Sequence, residues 1–176
     1  MAVLCIVKFP NPLLSRRAQS VGAINGEIKK LMEDMLETMY TAPGVGLAAP
    51  QVGVDKRVIV IDVGPEDNRS PVMLADPEII SGDGDIEYEE GCLSLPGFYL
   101  EVERKSCVTV KGINQGGHEV VIDAEGLFAI VLQHEIDHLN GVLLVDRVSR
   151  LKRDIYRRKI RREEKEKEKE QRGRER

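Results

Sequence analysis

The sequence predicts an α+β fold in which mixed or antiparallel β-sheets pack around one central helix, with a further helix at the C-terminus. Three observations carry this. Strand-like and helix-like segments do not alternate in the βαβ order of a doubly wound sheet. Residues 126–139 are apolar enough for a buried helix, yet they hold His134, Glu135, Asp137 and His138. The chain after Asp146 turns basic and nearly free of apolar residues.

The elements follow in order. A short apolar segment leads to Phe9-Pro10-Asn11-Pro12, where two prolines exclude regular helix. Asn25 can cap a helix, and Ile28, Leu31, Met32, Met35, Leu36 and Met39 recur at spacings of three and four. That helix is expected to end near Thr41-Ala42-Pro43-Gly44. A Gly-rich turn follows, then a buried strand over 57–63 and a loop over 64–71. Residues 72–80, interrupted by Pro77, hold a further strand. A Gly/Asp/Glu-rich connection over 82–90 leads to Glu90-Gly91-Cys92-Leu93-Ser94. Residues 100–111 and 118–123 alternate as strands, with 112–117 as their hairpin loop. A second helix is expected over 126–139, with Asp123 or Glu125 near its start and Asn140-Gly141 as its stop. Residues 148–165 read as a helix thinning into a frayed end. This gives a catalytic domain over 1–147 and a basic helix and tail over 148–176.

A chain of 176 residues and 19.7 kDa suits one core. Trp is absent and aromatics are 4%, so that core must be aliphatic. No apolar run approaches the ~20 residues of a membrane span, and the first residues lack the basic start of a signal peptide. Cys5, Cys92 and Cys107 are too few for a disulfide framework, which points to a reducing, cytoplasmic setting. Cys5 and Cys107, in apolar segments, read as small buried residues. The net charge of −4 divides into −11 over residues 1–145 and +7 over 146–176. An acidic body argues against gripping nucleic acid, whereas the basic tail is a candidate partner of something anionic.

The chemistry centres on His134-Glu135-Ile136-Asp137-His138. On a helix, positions i and i+4 lie one turn apart on one face, so two imidazoles can bind one divalent metal. Glu135 then stands close enough to take a proton from a water held there. A buried helix does not carry such residues without compensation. Two histidines do not complete a catalytic site, which usually has three protein ligands. Leu144 stands where the long metalloprotease motif needs a third His, and the downstream acids Asp146 and Asp154 are unattractive. Upstream, Cys92 stands in a Gly-adjacent turn and is a candidate for the missing ligand.

Gly44-Val45-Gly46-Leu47-Ala48-Ala49-Pro50-Gln51, Glu90-Gly91-Cys92-Leu93-Ser94 and Gln133-His134-Glu135-Ile136-Asp137-His138 resemble the three signature motifs of peptide deformylases, in the family's order. The resemblance runs from about residue 3 to about residue 160. It implies a metal-dependent hydrolase that removes the N-formyl group from the N-terminal formylmethionine of new polypeptides. It implies Cys92, His134 and His138 as metal ligands, Glu135 as general base and acid, and Gln51 (side-chain amide) and Leu93 (backbone N–H) as donors to the formyl carbonyl. It implies one divalent ion per chain, Fe²⁺ physiologically, with Zn²⁺, Ni²⁺ or Co²⁺ able to substitute. Gly44, Val45, Gly46, Glu90 and Gly91 are expected along the substrate, with Glu90 also orienting a ligand imidazole and Arg104 as its partner. Leu127, Ile130 and Val131 share the metal-facing side of the helix and are candidates for a methionine pocket, ordinary core being the alternative. Some family members carry an Arg near Tyr99 that contacts substrate backbone, and Tyr99 cannot supply that charge. Expected partners are nascent formylated polypeptides and, through the basic segment, the ribosome; no membrane is expected, and the chain reads as a monomer.

Two other readings stay open at this stage. A zincin-type endopeptidase would use His134, His138, Glu135 and a downstream carboxylate, leaving Cys92 dispensable. A non-catalytic chain would keep the metal for folding and act through its tail.

Overall fold

In the computed structural model, which describes residues 2–174, five strands form one antiparallel sheet in the order β1 (Gly46–Ala48), β2 (Val58–Ile61), β3 (Val72–Asp83), β6 (Cys107–Asn114), β7 (Glu119–Glu125). Two more, β4 (Ile86–Cys92) and β5 (Leu95–Arg104), form a separate hairpin. With helices α1 (Gly26–Thr41) and α2 (Gly126–Leu139) they make up the first of two compact units, residues 1–142; the second is 143–176. Met1 and the last two positions of the expected tail, 175–176, lie outside the described residues.

The unbroken apolar run of β2 has a direct cause. Successive side chains on a strand face opposite ways. Val58 and Val60 join Met32, Met35 and Met39 of α1, while Ile59 and Ile61 join Ala129, Leu132, Ile136 and Leu139 of α2. The sheet is thus covered on both faces at β2, so this interior strand needs no polar alternation. The helix starting at Asn25 is capped as expected: Ile28 N–H donates to Asn25 Oδ1 at 2.9 Å. α2 starts at Gly126, directly after Glu125, as expected. Neither Asp123 nor Glu125 caps it by side chain; Gly126 takes φ of 59°, and its N–H donates to Ser106 O. At the other end Gly141 takes φ of 74°, and a Cβ there would come within 2.8 Å of the Ser15 backbone.

Several sequence expectations need correction. Residues 86–92 form β4, whose glutamates hide the strand because its outer face is exposed. The segment 100–111 is two strands, broken at Lys105-Ser106 where the chain leaves the hairpin for the main sheet. Pro77 does not end β3; it sits at a register shift between Ala75 and Glu78, beside Asp76 at φ 49°. Cys5 and Cys107 are exposed rather than buried.

In the second unit α3 (Arg150–Arg174) continues past residue 165. The mixed charges there fall at i,i+4 spacing, as in Lys159–Glu163 at 3.9 Å and Arg162–Glu166 at 3.0 Å. Tyr156 and Ile160 are buried, whereas Lys152, Arg158, Lys159, Arg161 and Arg162 are exposed. Among the described residues no helix is long and apolar enough to cross a membrane.

Candidate metal centre

The hairpin and α2 build the centre between them. Leu93-Ser94 turn the chain from β4 into β5, so Cys92 stands at the hairpin tip. His134 and His138 stand one turn apart on α2. Cys92 Sγ lies 3.2 Å from His138 Nε2, which lies 3.2 Å from His134 Nε2. Among the described residues these three form the one group of His, Cys, Asp or Glu whose donor atoms converge within 4.8 Å. A tetrahedral cation with bonds of ~2.0–2.3 Å needs donors about 3.3–3.6 Å apart, close to the 3.2 Å found here. The donor set, one thiol sulfur and two imidazole nitrogens, therefore fits a borderline-soft divalent ion.

The other nitrogen of His134 is held from behind. Its Nδ1 lies 2.7 Å from Glu90 Oε2. Arg104 grips Glu90 through two bonds, Nε to Oε1 at 2.6 Å and Nη2 to Oε2 at 2.9 Å, and reaches Asp137 Oδ2 at 2.7 Å. Burial would raise the Glu90 carboxyl, but Arg104 and His134 outweigh it and hold it at about 2. Burial would lower His134, but Cys92 and Glu90 outweigh it and push the imidazole up to about 10. Burial, then the charges of His134 and Arg104, hold His138 well below the usual imidazole range.

Glu135 is 3% exposed, and its Oε2 is buried with no hydrogen-bond partner. Burial pushes its carboxyl up to about 7. Gly46 makes room for it: a Cβ there would collide with Glu135 Oε1 and come within 2.7 Å of Val131 Cγ1. Gln51 sits in a short 3₁₀ turn (Ala49–Val52) after β1, its Oε1 accepting from Ala48 N–H at 2.8 Å. Its Nε2 points to Ser94 Oγ at 3.3 Å and Cys92 Sγ at 3.5 Å.

These groups open into a cleft of about 530 Å³. Gly44, Val45, Gly46, Gln51, Glu90, Gly91, Cys92, Leu93, Leu127, Ile130, Val131, His134 and Glu135 all line it. Val131 and Ile130 are buried and Leu127 is partly exposed. The Tyr99 ring lies over Gly91, where a Cβ would come within 2.8 Å of its Cε1. Two residues of the signature motifs have partners here that their sequence context did not announce. Ser94 is fully buried against Gln51, and Asp137 pairs with Arg104 from 33 residues away. Partners this distant leave no periodic signal.

A thiol and two imidazoles converge beside a buried, unpartnered carboxylate, with Cys92, His134 and Glu135 lining the cleft, which is the arrangement of a metal-dependent hydrolase. The comparisons agree. The family model for polypeptide deformylase matches residues 3–154. A peptide deformylase of Thermodesulfovibrio yellowstonii is 53% identical over 161 residues, covering 91% of this chain and 98% of that relative. One of Agrobacterium fabrum is 47% identical, covering 91% and 95%. The crystal structure of peptide deformylase from Ehrlichia chaffeensis superposes with a TM-score of 0.89 at 37% identity, covering 94% of this chain and 99% of that one. That from Legionella pneumophila gives 0.86 at 44% identity, covering 94% and 98%. The chain belongs to the polypeptide deformylase family. It is a metal-dependent hydrolase that removes the N-formyl group from the N-terminal formylmethionine of newly made polypeptides.

The Glu90 bracket has a measurable consequence. Replacing a group that orients a ligand imidazole typically costs ~10–100-fold in metal affinity. Glu90→Gln should weaken zinc binding by that factor in competition with a chelator, and unchanged affinity would show that the contact is incidental.

Proposed function

We propose that Cys92, His134 and His138 hold one divalent ion per chain, Fe²⁺ in the cell and replaceable by Zn²⁺, Ni²⁺ or Co²⁺, and that Glu135 moves the proton. The observation that carries this is the approach of three metal-type donors beside a carboxylate oxygen that has no other partner. Bound there, the ion supplies a Lewis acid that polarises the formyl carbonyl and acidifies water.

The chain's own residues do the rest. Glu135 accepts a proton from the attacking water and returns it to the leaving amine, so water and formamide become formate and a free N-terminus. Its raised affinity for a proton suits both halves of that cycle. Gln51 Nε2 and Leu93 N–H donate to the formyl oxygen, where negative charge develops. Glu90 fixes the orientation of His134, and Arg104 fixes Glu90. Leu127, Ile130 and Val131 receive the methionine side chain. The Gly44-Val45-Gly46 segment and Gly91 face the peptide backbone. β1 is an edge strand with β2 on one side, which leaves its other side for an extended peptide.

We assign catalysis to residues 1–147 and a separate role to the basic helix and tail, 148–176. A formylated N-terminus first appears at the ribosome, whose surface is rich in phosphate. Nine Lys/Arg and one acid between Arg147 and Arg162 favour such a surface, with steep salt dependence. The enzyme acts in the cytoplasm as a monomer.

Two tests follow. Glu135→Gln should keep about one metal per chain yet lose at least the ~10²–10⁴-fold typical of general acid–base catalysis. Near-normal turnover in the metal-loaded variant would remove Glu135 from this role. Replacing the exposed Lys152, Arg158, Lys159, Arg161 and Arg162 by Gln leaves Tyr156 and Ile160 in place. Turnover of a short formyl-Met peptide should stay within a few-fold, while low-salt cosedimentation with ribosomes should disappear. Equal cosedimentation would defeat the tail's proposed role.

A further inference from the structure

The cleft wall at Pro43–Gly46 is fixed unequally at its two ends. Gly46 is paired to Ile61 and packed against Glu135 and Val131. The outer end is held by two backbone bonds, Gly44 N–H to Met39 O at 2.9 Å and Asp62 N–H to Val45 O at 2.9 Å. Both anchors belong to elements joined by one side-chain bond. Tyr40, at the end of α1, donates its hydroxyl to Asp62 Oδ2 at 2.6 Å, just beyond β2. Asp62 is 5% exposed, and its Oδ1 also accepts from Gly64 N–H at 3.0 Å and Ser70 N–H at 3.3 Å. Arg69, from the same loop, stacks on the Tyr40 ring at 3.7 Å. Burial and the Asp62 hydrogen bond push the Tyr40 hydroxyl up to about 12, so it stays a donor at neutral pH. Burial alone would raise Asp62, but the donors around it outweigh this and keep it ionised.

We propose that the Tyr40–Asp62 clasp is a positioning device for the outer end of the peptide-binding edge, setting how well the enzyme uses substrate backbone beyond formylmethionine. The idea rests on the reading of Gly44–Gly46 as the segment that faces the peptide. Neither Tyr40 nor Asp62 lines the cleft, so both act through Val45 and Gly44. Loosening the clasp frees Val45 while Gly46 stays fixed beside Glu135. Substrates that extend past the first residue therefore lose more than formylmethionine itself. A general loss of folding or of metal would instead lower both alike.

The test compares kcat/KM for a formyl-Met-Ala-Ser tripeptide with that for formylmethionine, in full-length metal-loaded enzyme. Tyr40→Phe deletes the hydroxyl and little else; Asp62→Asn removes the charge and serves if the first variant folds poorly. Either should cut the tripeptide-to-formylmethionine ratio about fivefold or more, chiefly through KM of the tripeptide. A ratio unchanged in both variants overturns the clasp. Wild-type enzyme with no preference for the tripeptide would instead refute the peptide-edge reading on which it rests.

Discussion

The structure depends on keeping four ionisable side chains on a buried helix. α2 packs its apolar positions into the sheet while carrying His134, Glu135, Asp137 and His138. Each of these would destabilise the core if left alone. Arg104 answers part of the demand, for Asp137 directly and for His134 through Glu90. It neutralises Glu90 and Asp137 together, and Glu90 in turn fixes His134. A buried ion pair is weak evidence for stability, since desolvation offsets its attraction. Its clearer effect is orientation: it leaves the Nε2 atom of His134 facing Cys92 and His138.

The second constraint is closeness. The hairpin tip, the edge of the sheet and α2 meet around one cleft, and side chains larger than hydrogen do not fit at the junctions. At Gly44 a Cβ would come within 2.9 Å of Leu93 Cδ1, and at Gly46 it would strike Glu135. These glycines serve by size, unlike Gly126, which serves by backbone conformation alone; Gly141 does both. The outcome is a carboxylate oxygen with nothing to bond beside donors suited to a metal, an arrangement that folding alone does not call for.

The sequence carried the helices and the motif well because both are local. Periodicity located α1, the apolar run with its Asn140-Gly141 stop located α2, and His134 and His138 are neighbours by helical geometry alone. It carried the hairpin badly. In β4, Glu87 and Glu89 face water, and the glutamate-rich alternation reads as loop when its partner strand is unknown. The break at Lys105-Ser106 was invisible for the same reason, since strand pairing and not composition decides where 100–111 divides. Cys92 could be singled out, whereas its approach to His138 across 46 residues needed the fold. Cys5 and Cys107 sit among apolar neighbours in sequence but are exposed, Cys5 outside any strand and Cys107 at the first position of β6.

The central claim is that one sulfur and two imidazole nitrogens of this chain share a single ion. X-ray absorption on the full-length protein loaded with one equivalent of zinc tests it directly. The account predicts one sulfur neighbour at ~2.3 Å and two nitrogen neighbours at ~2.0–2.1 Å, with the sulfur lost in Cys92→Ala. A zinc spectrum with no sulfur neighbour, or a sulfur that persists in Cys92→Ala, would contradict it.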